Sequence, residues 1–288
     1  RRAILSMTIQ DAVGHIRRVY VRPPQPEAMT EWQRSEWRSA PDPGRAIEEH
    51  AAFRETLGAL GADILVGQTA VPGDLDAIYA YDPTLPTDRG VIVLRPGKVQ
   101  RRGEPAALER DLVAAGLPVL GTLTAPATAE GGDMFWLDDT TLLIGRGHRT
   151  NDGGIDQIRS LLAPDVTVTS FDLPYFRGPG ACLHLMSFIS PLARDLVVAY
   201  PPMMPVRLME ILEERGIGLV EVPDEEFDSQ GANVLALAPR VALALEGNPE
   251  TRRRMEDAGV DVRMYAGEEI SRKGDGGPTC LSRPLDRA

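Results

Sequence analysis

Cysteine is nearly absent. The 288 residues hold two, Cys182 and Cys280, which excludes a disulfide framework and points to a reducing compartment, the cytoplasm. Histidine is scarce too. His15, His50, His148 and His184 lack metal-ligand spacing, and Cys182-x-His184 has no second pair to complete a closed four-ligand shell, so no metal is expected. No apolar run approaches the ~20 residues of a membrane span. Positive charge is in deficit: 31 Lys and Arg against 42 Asp and Glu leave a net −11. Such a field repels nucleic acid and anionic lipid and attracts a cationic small molecule.

What remains is a soluble-protein composition, 43% apolar and 25% charged, on a chain long enough for a large core. Residues 1–288 read as one domain. Arg1-Arg2-Ala3-Ile4-Leu5-Ser6 is too short for a secretory signal and Met7 is a candidate natural start, so 1–14 is expected to be flexible. The alternation over 15–21 predicts a first strand, ended by Pro23-Pro24. The aperiodic stretch 22–43, with Trp32 and Trp37, is a candidate lid loop.

From residue 46 onward one phrase recurs: an amphipathic helix, a small residue with glycine, and a β-branched strand. Helices are predicted over 46–60, 106–115, 155–162, 206–215 and 251–258. Strands follow them, and in four of the five cases a glycine ends the helix. After each strand comes a polar bend and a second strand-like run, at 76–82, 130–136, 181–185, 233–237 and 279–281. Five modules of this kind predict an α/β fold closed into a ring of small sheets, since an open array would leave apolar ends exposed. A doubly wound parallel sheet would show the same alternation of elements. It would not place a chemically distinctive side chain at one phase of each repeat.

That recurrence carries the function. Asp82, Glu130, His184 and Cys280 fall at equivalent points of four modules, and the ring's pseudo-symmetry brings them to its centre. Two carboxylates facing one pocket suit a planar cation with several N–H donors. A cysteine and a histidine suit attack on a trigonal carbon and proton delivery to a departing amine. Cys280 itself follows Gly274-Asp275-Gly276-Gly277-Pro278, a stretch whose bare backbone leaves room for a ligand beside the sulfur. Together these residues describe a hydrolase or transferase acting on a guanidine.

Tyr81-Asp82-Pro83, Arg95-Pro96-Gly97, Arg101-Arg102-Gly103-Glu104, Glu130-Gly131-Gly132-Asp133, Gly145 to Asn151, His184-Leu185 and Gly276 to Ser282 occur in this order. The set resembles the guanidino-modifying pentein superfamily, and within it the dimethylarginine dimethylaminohydrolases. The resemblance implies a five-bladed α/β propeller. It implies Cys280 as nucleophile, His184 as proton donor and later activator of water, and Glu130 and Asp82 as holders of the guanidinium, with Glu130 also tied to proton handling. It further implies Arg101 and Arg149 as anchors of the substrate α-carboxylate, and Asp76 and Tyr79 as pocket lining. The expected chemistry is a Cys-linked thiouronium hydrolysed to a ureido product such as citrulline, with no cofactor and, by analogy, edge-on association into a homodimer.

Met186 stands where deiminases and amidinotransferases carry the acid of His-x-Asp, which favours an N-substituted guanidine. Tyr79 replaces a usual Phe and Tyr81 a usual acid, so arginine or another guanidino acid stays open as substrate. A non-catalytic module of the kind found in ribosome anti-association factors would share the propeller but lack the catalytic set, and the negative charge is wrong for an RNA-facing protein.

Overall fold

The computed structural model describes residues 8–178, 180, 181 and 183–288. Its short apolar runs pair locally, because a lone strand leaves its backbone N–H and C=O groups unsatisfied. Among the described residues the pairing gives five three-stranded sheets. The fifth joins the two ends of the chain: β1 (Ile16–Val21) runs parallel to β2 (Asp63–Val66) and antiparallel to β15 (Arg283–Arg287). The others are consecutive: β3 (Thr84–Thr87), β4 (Gly90–Val93) and β5 (Val119–Thr122), then β6 (Met134–Asp138), β7 (Thr141–Arg146) and β8 (Thr167–Asp172). After them come β9 (Ile189–Ala193), β10 (Leu196–Ala199) and β11 (Gly218–Glu221), then β12 (Leu235–Ala238), β13 (Val241–Leu245) and β14 (Asp261–Tyr265).

Each sheet pairs its first strand antiparallel and its last strand parallel to the middle one. A parallel pair cannot be joined by a tight turn. Helices Pro43–Gly58, Glu104–Ala114, Asp152–Leu161, Val206–Glu214 and Pro249–Asp257 therefore fill the crossovers. This is the recurring phrase of the sequence, and the glycines after four of these helices, Gly61, Gly116, Gly216 and Gly259, take φ of +86°, +83°, +65° and +82°. Leu85, Met134, Pro191, Ala236 and Pro284, one from each of β3, β6, β9, β12 and β15, surround a single axial cavity. The architecture is thus a closed α/β propeller of five modules, and five separate sheets exclude the doubly wound alternative.

Apolar clusters bridge neighbouring modules. Leu208, Ile211 and Leu212 on one helix pack with Phe135 and Leu143 of one sheet and Ile189 and Val197 of the next. Phe53 and Leu57 join Val19 to Leu235 and Leu243 across the seam between first and last modules. Each such side chain contributes about 2 kcal/mol by leaving water. The ring is held shut by these contacts as well as by the β1–β15 pairing.

The structure corrects the second strand-like runs in part: those at 130–136 and 233–237 run into β6 and β12, but those at 76–82, 181–185 and 279–281 are not strands. Asp82, Glu130, His184 and Cys280 do not lie on strands. They occupy tight turns just before β3, β6, β9 and β15, next to one-turn 3₁₀ segments at Leu75–Ile78, Gly131–Asp133 and Leu185–Ser187. Gly, Asp and Pro disfavour a ladder here, and local bonds satisfy the backbone instead: Asp133 N–H to Glu130 O, Ser187 N–H to His184 O, Leu281 N–H to Gly277 O. The middle strands β4, β7, β10 and β13 were not anticipated. The stretch 22–43 forms a 3₁₀ turn at Pro26–Glu31 and buries Met29 and Trp37. Cys182 and residues 1–7, half of the stretch expected to be flexible, lie outside the described residues.

Candidate active site

The turns before the inner strands open onto one pocket of about 320 Å³ at an end of the ring. Asp76, Tyr79, Asp82, Arg101, Arg149, His184 and Cys280 all line it. Glu130, with 0% exposure, sits outside the pocket lining and behind His184. This departs from the expectation that both acids would face the cation. Glu130 already has its oxygens engaged, by His184 Nε2 at 2.7 Å, the Lys98 backbone N–H at 3.1 Å and Arg149 at 3.4 Å. Burial would raise its pKa, but the hydrogen bond from His184, with the Arg149 and Arg101 guanidiniums, holds it far below the carboxylate range.

His184 is fixed in orientation. Its backbone N–H donates to Ser187 Oγ at 2.9 Å, and the backbone N–H of Ser187 bonds back to the imidazole. An N–H can only donate, so the ring nitrogen it meets is unprotonated. Nε2 then carries the proton facing the ionised Glu130, which can only accept. Nearby Asp133 accepts from Thr150 Oγ1 at 2.6 Å, and burial pushes it up to about 7, so it does not add a full third negative charge near neutral pH.

Asp82 is the acid that faces the pocket. One oxygen accepts from the Gly132 N–H at 2.8 Å and the other from Arg101 at 2.5 Å. Burial opposes its ionisation, but the Arg101 guanidinium outweighs it and keeps the carboxyl below its ordinary value. Arg101 is itself committed: beyond Asp82 it donates to both oxygens of Glu104, at 2.6 and 2.8 Å, and to Tyr79 O at 3.0 Å. That bonding makes Arg101 a holder of Asp82 and takes the donors an α-carboxylate would need. Arg149 reaches Glu130 only loosely, at 3.4 to 3.5 Å, and remains on the pocket wall.

Asp76 and Tyr79 also line the pocket. Trp37 stacks on Tyr79, with centroids 5.9 Å apart, and its indole N–H donates to Asp76 at 2.8 Å. Lys98 Nζ bridges Asp76 and Ser35 O, each at 2.7 Å. Stretch 22–43 is thereby seated on the pocket through Ser35, Glu36, Trp37 and Arg38. Lys98 was missed in the sequence because nothing in its local pattern distinguishes it from a surface lysine.

The glycines before Cys280 serve differently than expected. A Cβ on Gly276 would lie 2.2 Å from the Tyr79 ring, and one on Gly277 would lie 2.5 Å from the Asn233 amide. The space they leave is filled by this protein's own side chains. Asn233 occupies the turn of the remaining module, just before β12, in the phase that Asp82, Glu130, His184 and Cys280 hold in the others, and its Nδ2 lies 3.3 Å from Cys280 Sγ. The pseudo-symmetry used to find the four could have found the fifth.

Asp82, Glu130 and His184 bring three donor atoms within 4.8 Å of one another, close enough for a metal. Arg101, Arg149 and two backbone N–H groups already take those carboxylate oxygens, so a cation there would face two guanidiniums. The arrangement suits a thiol attacking a carbon held beside Asp82, with His184 moving the proton. Among the described residues no helix is long and apolar enough to cross a membrane.

The arginine deiminase family model matches residues 77–215 and 205–287. A dimethylarginine dimethylaminohydrolase of Pseudomonas aeruginosa is 29% identical over 248 residues, 84% of this chain and 89% of its own length. One from Streptomyces coelicolor is 30% identical, over 84% of this chain and 86% of its own length. The arginine deiminase of Rhodococcus opacus is 32% identical over 57% of this chain and 47% of its own length. A solved structure of a Pseudomonas aeruginosa dimethylarginine dimethylaminohydrolase variant complexed with citrulline matches 95% of this chain and 100% of its own, with TM-score 0.77 and 25% identity. The N-terminal domain of a cyanobacterial arginine dihydrolase, at TM-score 0.80, 21% identity and 95% and 98% coverage, shares the fold.

Proposed function

Because the chain belongs to the arginine deiminase family, within the pentein superfamily of guanidine-modifying enzymes, we propose that it hydrolyses a C–N bond of a methylated arginine to citrulline and an amine. The observation that carries this reading is the convergence of Cys280, His184 and Asp82, from three modules, on one pocket, with Glu130 2.7 Å behind His184.

Asp82 accepts N–H bonds from the bound guanidinium, fixing its plane, and the cation beside Cys280 lowers the thiol pKa. The thiolate forms an S–C bond to the guanidinium carbon. The proton that the thiol gives up passes to the His184 ring, and as the C–N bond to the substituted nitrogen breaks the imidazolium returns that proton to the departing amine. A water on the resulting thiouronium gives its proton to His184 as its oxygen bonds to carbon. Cleavage of the C–S bond releases the ureido product and restores the thiolate. Glu130 steadies the imidazolium that forms in each half. Arg149 and Lys98, on the pocket wall, are placed to meet an α-carboxylate.

Hydrolysis of arginine itself is the second reading, and the arginine deiminase relatives favour it. Met186 in place of a second acid ranks it lower: nothing at that position would accept N–H bonds from an unsubstituted guanidinium end. The setting proposed is the cytoplasm, and the state an edge-on homodimer. A panel of guanidino acids, assayed for ureido product and for released amine with the Cys280→Ser variant as blank, tests the reading. Dimethylamine or methylamine release should exceed ammonia release in kcat/KM; a higher value for arginine would reverse the ranking, and no turnover of any member would end it.

A further inference from the structure

We propose that Asn233 is a further residue of the reaction centre: its amide N–H donates to the Cys280 sulfur and stabilises the thiolate before substrate binds. The proposal rests on Cys280 being the nucleophile, and deepens that assignment.

The orientation of the amide follows from its surroundings. The Thr279 backbone N–H points at Asn233 Oδ1, 3.3 Å away. A backbone N–H has no acceptor to offer, so the oxygen must face it and the NH2 must face the other way. The atom on that side is Cys280 Sγ, 3.3 Å from Nδ2. A donor at sulfur favours S⁻ over S–H, because the thiolate is the stronger acceptor.

The site is built for this contact. Asn233 is 7% exposed and its own N–H is tied to Gln230 O at 3.0 Å. Thr279 Oγ1 donates to Val234 O at 3.1 Å, so the turn at 277–280 is bound to the Asn233 segment through both Thr279 donors. Gly277 is the position where any side chain would overlap the Asn233 amide. The glycine of the motif before Cys280 thus exists to admit Asn233. Four modules send an acid, another acid, an imidazole and a thiol into the ring, and the fifth sends the donor that completes the thiol's surroundings.

The test is a titration of the Cys280 thiolate by its ultraviolet absorbance in the substrate-free full chain, corrected with Cys280→Ser. Asn233→Asp keeps the size and the acceptor for Thr279 N–H, removes the donor and adds a negative charge beside the sulfur. Asn233→Leu is its uncharged counterpart. Both should raise the Cys280 pKa by about one unit, with an about tenfold slower alkylation by iodoacetamide near neutral pH. Asn233→Ser, which retains a short donor, should recover part of the shift. A Cys280 pKa unchanged in Asn233→Asp and Asn233→Leu would overturn the proposal. The titration needs no turnover: a raised pKa in a protein that hydrolyses no guanidine supports the Asn233 contact and counts against the proposed reaction alone.

Discussion

His184 Nε2 and Glu130 Oε2 lie 2.7 Å apart inside the ring although 54 positions separate them in the chain. His184 lines the pocket and Glu130 is closed off behind it, and the pair is the electrostatic hinge of the site. Glu130→Gln keeps the shape but loses the charge that holds the proton on Nε2. Turnover should fall by about 10²- to 10⁴-fold, the usual worth of general acid–base assistance, with KM little changed. His184→Ala should slow both halves, and with a guanidine analogue whose leaving group needs no proton it should leave a covalent adduct visible by intact mass. Full activity in either variant would remove the pair from the mechanism.

Arg101 and Arg149 should separate cleanly. Arg101 is enclosed by Asp82, Glu104 and Tyr79 O, and Arg101→Ala would leave two buried carboxylates without their cation. A loss of about 3–5 kcal/mol in unfolding free energy is expected, together with lost activity. Arg149→Ala should chiefly raise KM. Denaturant unfolding and steady-state kinetics on both variants decide it; an Arg101→Ala protein of parental stability with only KM raised would restore the carboxylate-anchor reading.

Gly276→Ala and Gly277→Ala probe the filled space before Cys280. Their Cβ atoms would press on Tyr79 and Asn233. Overpacking of this kind costs about 1–3 kcal/mol, and displacement of either partner should also lower kcat. Unaltered kinetics with both alanines would mean that the turn has slack that the contacts deny.

His50 sets an acid limit on stability. It is 1% exposed, its Nε2 has no hydrogen-bond partner among the described residues, and burial, with Arg54 nearby, lowers its pKa from 6.5 to about 3. The unfolded chain binds the proton first, so His50 costs nothing above pH 6.5 and stability drains away as pH falls from 6.5 toward 3. By linkage the loss reaches up to roughly 4 kcal/mol. Urea unfolding of the parent and of His50→Leu across that range should show a shallower decline in the variant; parallel curves would assign the acid sensitivity elsewhere.

The periodic part of the fold was legible because it is local. Helix faces repeat every three to four residues, β-branched runs mark the outer strands, and the glycines at 61, 116, 216 and 259 follow from the positive φ that a helix end demands. The five-module count, and the identity of Asp82, Glu130, His184 and Cys280, follow from the same repetition. The middle strands were not legible: β4, β7, β10 and β13 are brief apolar runs, four to six residues long, and the turns before their hairpin partners read as strands. Such runs have no period of their own to set a boundary.

Which acid faces the pocket was decided only in three dimensions. Glu130 and Asp82 look alike in sequence, each followed by turn residues, but Glu130 meets His184, Lys98 and Arg149 from other parts of the chain and is drawn behind the imidazole. Asn233 likewise looks like any turn residue until Thr279 orients its amide toward sulfur. The chain alone determines which side chains arrive at the ring's centre. Their division of labour depends on hydrogen bonds between modules tens of residues apart, and no local pattern encodes those.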